Sequence, residues 1–442
     1  MSDWPRCTVE ELAAPYKGAL ATGPFGSSIG TKTFRNSGVP VIRGGNLSAE
    51  IGKRLLEDDL VFLDEDLANQ FERSAVRLDD LIFTCWGTIN QVGFIDKRAS
   101  YERYIISNKQ MKVTVDRDKV YPLFMYYFFS GPVGQQEIEG VSIGSSVPGF
   151  NLTNLRKISI PIPPLAVQRR IIEILGALDD KIEMNRRMNE TLEAMARAIF
   201  KDWFLDFGPT RSKAVGRAPY LAPDLWSLFP DCLDDEGKPE GWRLGTLEDI
   251  VDVNPREPLK TGITAPYLEM AALPTSGPIH DQAVPREFTS GMRFRNGDTL
   301  LARITPCLEN GKTAFVQSLP KDAVGWGSTE FIVLRSKAPV PSAYTYLLAR
   351  DPAFRASAIQ SMTGTSGRQR ARHETLASYL VAVPDNSLWR AFGSLIGPMF
   401  ERIKANGVES ETLAQTRDLL LPKLMSGEIR VGEAEALAVA AQ

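Results

Sequence analysis

The sequence predicts an α+β chain with two globular domains, each followed by a long helix, the two helices pairing antiparallel. Three observations predict it. The stretch from Pro161 to Phe204 opens on Pro161, Pro163 and Pro164 and then carries only Gly176 as a breaker. Its apolar residues step by four and three through Ile171, Leu175, Leu178 and Ile182, then Leu192, Ala196, Ile199 and Trp203, the seam of a helix built to pair. Finally, a 221-residue offset runs without a gap from Leu155 to Phe204: Leu155 meets Leu376, Pro163 meets Pro384 and Gly176 meets Gly397.

The domains follow in order. Residues 1–160 read as a mixed domain, with strands near Val39–Arg43, Asp80–Trp86, Gly93–Asp96 and Gln110–Val115 and an aromatic helix at Tyr121–Ser130. Glycine-rich loops at 22–33, 43–46 and 140–150 let backbone come close to a ligand, or serve only as turns. The first long helix spans 161–207, and some forty residues of it make a rod of about 60 Å at 1.5 Å per residue. Residues 208–241, with five prolines and the acidic run 231–236, read as a linker or extended crossing segment. A second mixed domain covers 242–385, with strands at Thr299–Ile304 and Phe331–Arg335 and helices at Ala343–Leu348 and after Ala353. Residues 386–426 form the second long helix, and the tail 427–442 is expected to fray.

The repeat places the second seam at Ile396, Met399, Ile403, Asn406, Leu413 and Leu420. Asn185 and Asn406 fall near the helix midpoints. A polar residue at one seam position sets register, so the two side chains are expected to approach each other; the other reading is that Asn406-Gly407 breaks the second helix. A duplicated unit tends toward two-fold symmetry, which suits a ligand with two half-sites, such as duplex DNA with its ~34 Å repeat.

Composition limits the function. The net charge is only −3, so any nucleic-acid contact must come from local basic patches. Cys7, Cys85, Cys232 and Cys307 are scattered without CxxC, which fits reduced thiols in a cytoplasmic protein. No signal run or membrane span is present. Gly311-Lys312-Thr313 resembles the end of a P-loop, but Pro306 stands where its first glycine belongs. No adenine-methyltransferase motif, GxGxxG or metal-ligand pattern occurs, and His280 and His373 belong to no triad. The expectation is a chain that is not an enzyme and that binds no cofactor or metal itself.

The order and lengths of the parts resemble the specificity subunit of type I restriction–modification systems. Gly23-Pro24-Phe25-Gly26-Ser27 and Arg43-Gly44-Gly45-Asn46 look like the opening of a first target-recognition domain. Residues 151–172 look like its exit into a spacer helix, and 189–207 like that helix's end; 364–384 and 415–429 repeat those roles. The second exit, VAVPDNSLWRAF, lacks the double proline and the Gln-Arg-Arg run of the first. The resemblance implies that each globular domain reads one half of a split double-stranded DNA target. It implies partners: two methyltransferase subunits carrying S-adenosylmethionine, docked on the helices, and restriction subunits that use ATP and Mg. A coiled-coil scaffold that joins proteins without reading DNA is the alternative.

Base edges are read by polar side chains, while phosphates take Arg, Lys and hydroxyls. In the first domain the candidates are Lys32, Arg35, Arg43, Asn46, Thr88, Asn90, Gln91, Ser142, Ser145 and Ser146. In the second they are Lys260, Arg303, Thr305, Asn310 and Lys312, with the densest basic loop at Thr365, Ser366, Arg368, Arg370 and Arg372.

Overall fold

A Thr-x-x-Glu/Asp sequence starts each half of the chain, and in the computed structural model each caps a short helix. The Thr8 side chain accepts from the Glu11 backbone and Glu11 answers to the Thr8 amide; the second half repeats the return bond, the Thr246 amide donating to Asp249 at 3.0 Å. The structure describes residues 4–24, 28–144, 148–365 and 367–441.

The chain forms two compact units, Met1–Glu183 with Glu409–Gln442, and Met184–Val408. In the first, two four-stranded sheets have the strand orders Leu20–Thr22, Gln110–Val113, Leu81–Thr84, Val92–Phe94 and Val61–Leu63, Val39–Ile42, Tyr104–Ile106, Ala75–Val76. The second repeats both orders: Val251–Val253, Phe331–Ser336, Thr299–Ala302, Thr313–Phe315 and Val284–Glu287, Thr264–Leu268, Gly325–Gly327, Met292–Phe294. Registers repeat too. Thr84 faces Gln110 across one pair and Ala302 faces Phe331 across the other. The aromatic run is helical, Pro122–Ser130, because its phenylalanines and tyrosines are buried all round it. Ser342–Arg350 is its counterpart.

The first long helix is Leu165–Phe200, continued by a π-turn at Lys201–Leu205; the second is Asn386–Ser426. Each begins in one unit and ends in the other. In the first unit Ile171, Leu175 and Leu178 share a buried core with Leu413, Leu420 and Leu424, and Ile182 packs at its edge. Lys181 meets Glu409 at 3.3 Å and Asp179 meets Arg417 at 2.8 Å, so numbering falls along one helix as it rises along the other: the segments are antiparallel. In the second unit Ile396 and Ile403 are buried with Ala196, Phe200 and Trp203, flanked by Leu192, Ile199 and Met399.

The second long helix forms without a break, so the alternative reading of a break at Asn406-Gly407 falls. It runs through Pro398, Gly407 and Pro422, because apolar burial along the seam outweighs the local cost of those residues. Gly407 leaves room for Ile279, whose Cδ1 would lie 3.0 Å from an added Cβ. Ile279 is half exposed and free to turn aside. Gly407→Ala should therefore stabilise the protein by up to about 1 kcal/mol, read as a higher denaturation midpoint.

The asparagines pair in a stagger rather than side chain to side chain at one level. Both are buried. The Asn185 amide donates to the Asn406 backbone carbonyl at 3.4 Å, and the Asn406 amide donates to Asn189 Oδ1 at 2.8 Å. Asn406 sits between two asparagines one turn apart.

The tail is not frayed: Val431–Ala440 is a helix that buries Ala434 and Ala438 in the first unit's core, and Arg170 pairs with Glu435 at 2.7 Å. Nor is 208–241 plainly extended. It contains short helices at Gly208–Ala214 and Pro223–Trp226, and Phe229 stacks edge-on against Trp203. All four cysteines are free. No described helix is long and apolar enough to cross a membrane. Among the described residues no group of three His, Cys, Asp or Glu is gathered for a metal ion.

Candidate nucleic-acid interface

The central strand pair of each domain ends at the same place and releases the same two loops. In the first domain the Cys85 amide donates to the Lys109 carbonyl at 2.8 Å, and the Phe150 amide to the Cys85 carbonyl at 3.0 Å. Trp86 and Ile143 both bridge Gly149, and the Gly87 amide donates to the Pro148 carbonyl at 3.0 Å. In the second domain the Arg303 amide donates to the Glu330 carbonyl at 3.0 Å, and the Ala371 amide to the Arg303 carbonyl at 2.8 Å. Ile304 and Thr363 both bridge Arg370. The loop after the strand is thus laced to the loop before the helical exit in both copies. Trp86 corresponds to Ile304, Lys109 to Glu330 and Gly149 to Arg370.

The second domain's lacing gathers the residues singled out from its sequence. Arg303, Thr305, Arg368, Arg370 and Arg372 lie on two loops joined by the Thr305 amide to the Gln369 carbonyl at 3.1 Å. They are not equivalent. Arg370 grips Glu330 through two guanidinium nitrogens at 2.7–2.9 Å and donates to the Arg368 carbonyl, so it holds the loop. Arg368 is exposed, with no ion-pair partner among the described residues, and Arg372 is exposed with only a 3.9 Å approach to Glu374. Arg303 is half-buried. The hydroxyl of Thr305 and the Nε of Arg303 are buried without hydrogen-bond partners among the described residues. Thr365 is exposed; Ser366 lies outside the described residues. Arg368→Ala with Arg372→Ala should weaken DNA binding and shallow the salt dependence by about two counter-ions, as read from affinity against ionic strength. Arg370→Ala should instead loosen the loop.

The other candidates divide similarly. Lys260 and Asn310 are exposed. Lys312 is turned inward and donates to the Met270 and Ala271 carbonyls at 2.9 and 3.2 Å. In the first domain Lys32, Thr88 and Asn90 are exposed. Arg35 pairs with Asp64 at 2.9 Å, and half-buried Arg43 donates to the Asp59 carbonyl at 2.8 Å. Two candidates are committed to the fold. Asn46 is buried; it accepts from the Arg43 amide and donates to the Leu56 and Asp58 carbonyls. Gln91 donates to the Leu47 carbonyl at 3.0 Å and accepts from the Thr84 and Thr88 hydroxyls. Backbone groups left over by the loops take both side chains. Ser142 donates to the Glu139 carbonyl at 2.8 Å, and Ser145 and Ser146 lie outside the described residues, as do Phe25, Gly26 and Ser27.

The sequence reasoning missed Trp86, exposed on a laced loop, and Lys109, exposed on the turn before Gln110–Val113, whose carbonyl accepts from the Cys85 amide.

Residues 26–194 match the family model described as type I restriction modification DNA specificity domain. The chain is 27% identical over 348 residues to the specificity subunit of the type I restriction enzyme MjaIX of Methanocaldococcus jannaschii, covering 74% of each. It is 23% identical over 393 residues to that of HindI of Haemophilus influenzae, covering 76% of this chain and 83% of the relative. A crystal structure of the type I restriction–modification S subunit from M. genitalium aligns over 96% of both chains with a TM-score of 0.54 at 14% identity, a likeness of fold.

Proposed function

We propose that this chain is a specificity subunit of a type I restriction–modification system and reads a bipartite DNA target with one half-site per globular domain. One observation carries the reading: the same pair of loops is laced at the same repeat positions in both domains and presents exposed polar and basic side chains there. A duplicated reading surface calls for a target of two parts. The subunit is not itself a catalyst. It directs methyltransferase and restriction subunits to the site, with two methyltransferase subunits docked along the long helices.

The helices, in this reading, set the gap between the half-sites. Adding one heptad to each helix, near 184 and near 408, lengthens the rods by about 10 Å. The non-specific spacer should then grow by about three base pairs, with both half-site sequences unchanged. Methylation mapping of the host genome, with the gene present and deleted, tests the whole reading. A split motif that vanishes on deletion is expected; methylation without sequence preference would overturn it in favour of a scaffold.

A further inference from the structure

The two laced loops are built alike but furnished differently. In the second domain the position after the strand end is Ile304, and the facing residues Glu330 and Arg370 pair with each other at 2.7 Å. In the first domain the same three positions are Trp86, Lys109 and Gly149. No ion pair can form there: the carboxylate is replaced by a cation and the arginine by no side chain at all. Lys109 is exposed and has no ion-pair partner among the described residues.

Gly149 is needed for what replaces the pair. A Cβ added to it would fall 2.4 Å from the Trp86 ring, so the indole rests directly on the glycine backbone. The bridges to Trp86 and Ile143 hold that backbone still. The indole nevertheless remains 52% exposed, beside Ile143 at 63%. Indole and isoleucine thus stand open side by side, on a seat that backbone bridges hold in place. The indole's neighbours are the exposed Thr88 and Asn90 on the same loop, with Lys109 behind. An apolar tip among hydrogen-bonding groups and a cation matches the major-groove edge of an A·T pair, where the thymine methyl is the apolar group and phosphates flank it.

We infer that Trp86 is a base-contacting residue of the first domain, its indole meeting the 5-methyl group of a thymine in one half-site while Lys109 takes a flanking phosphate. The inference rests on the reading that each domain recognises a half-site. The first domain then discriminates partly by an apolar contact, and the second by its arginine-rich loop.

The test uses the complex reconstituted with its methyltransferase subunits, and duplexes carrying the mapped target with each thymine replaced in turn by uracil, which lacks the methyl group. At one position in one half-site, uracil should weaken binding by the wild-type complex about three- to fivefold, the worth of one buried methyl. Trp86→Ala should bind the thymine and uracil duplexes equally, and Trp86→Phe should keep part of the difference. Gly149→Ala, which displaces the ring, should behave like Trp86→Ala. Lys109→Ala should lower the salt slope by about one without altering the uracil pattern. If the wild-type complex does not prefer its target over a scrambled duplex, half-site reading fails and this inference with it. If that preference holds but the uracil scan is the same with Trp86→Ala, the Trp86 contact alone is overturned.

Discussion

Asp179→Ala should destabilise the first unit by about 3–5 kcal/mol, the cost of leaving buried charge without its partner. Asp179 is 2% exposed and sits on the first long helix. One carboxylate oxygen takes Arg417 of the second helix at 2.8 Å; the other takes the Tyr127 hydroxyl at 2.6 Å and Arg54 at 3.4 Å. Arg54 is itself buried and completes its pairing with Asp96 at 2.6 Å. Burial, then the charge of Asp179, lifts the Tyr127 phenol well above its ordinary value, so it stays protonated and donates. One residue thus ties both helices to the globular domain. Gly52, at φ +90°, makes room for the knot: a Cβ there would lie 2.7 Å from the Arg417 guanidinium.

For a unit of this size the loss corresponds to a fall of roughly 6–20 °C in melting temperature, measurable by calorimetry or by hydrogen exchange in 165–183 and 409–426. Asp179→Leu combined with Arg417→Leu should cost less than Asp179→Leu alone, because one stranded cation is removed with its partner. A double variant whose loss equals the sum of the two single losses would show that the residues are not coupled.

Arg350→Leu should destabilise the second unit by a similar amount, about 3–5 kcal/mol, because it strands several buried acceptors at once. Arg350 is 8% exposed. Its guanidinium donates to the carbonyls of Thr275, Gly277, Gly311 and Thr313 at 2.5–2.9 Å and to the Tyr346 hydroxyl at 3.1 Å. Tyr346 passes the link on to Glu193 of the first long helix at 2.6 Å. The segments it joins, 275–277 and 311–313, border the loop that carries Arg303, Thr305 and Asn310. Arg350→Lys should recover only part of the loss, since an ammonium has three donors and no planar fork. Denaturant midpoints rank the three proteins, and a lysine variant as stable as the wild type would refute the role assigned to the fork.

The lock differs between the halves although the fold repeats. Asp179 with two arginines serves the first unit; Glu193, Tyr346 and Arg350 serve the second. Sequence offset alone pairs Asp179 with Phe400 and Arg417 with Ala196, so neither network is visible from the repeat. Each forms between elements distant in the chain, and only the folded backbone brings those elements into reach.

Periodicity and duplication were local enough to be read directly. The aromatic helix, the strands at 39–42, 81–84, 110–113, 299–302 and 331–336, and the helical character of 386–426 follow from side-chain patterning, which depends on near neighbours. The tail was misread because an alanine-rich, weakly amphipathic helix has little signal of its own, and the buried seat of Ala434 and Ala438 supplies what the sequence lacks. Side-chain duty on the loops was the least legible. Nothing near Asn46 or Gln91 in the chain announces the carbonyls that claim them, and Arg370 looks like Arg368 until Glu330, forty residues away, is placed beside it.

By itself the sequence determined the duplication and the order of domains and helices. Those are properties of pattern and length, which burial of apolar faces enforces along any chain so written. Tertiary structure decided which asparagine meets which, which charges are locked inside, and which loop residues remain open to a ligand. A polar group's role depends on whether a partner satisfies it after folding, and that partner is set in space rather than in sequence.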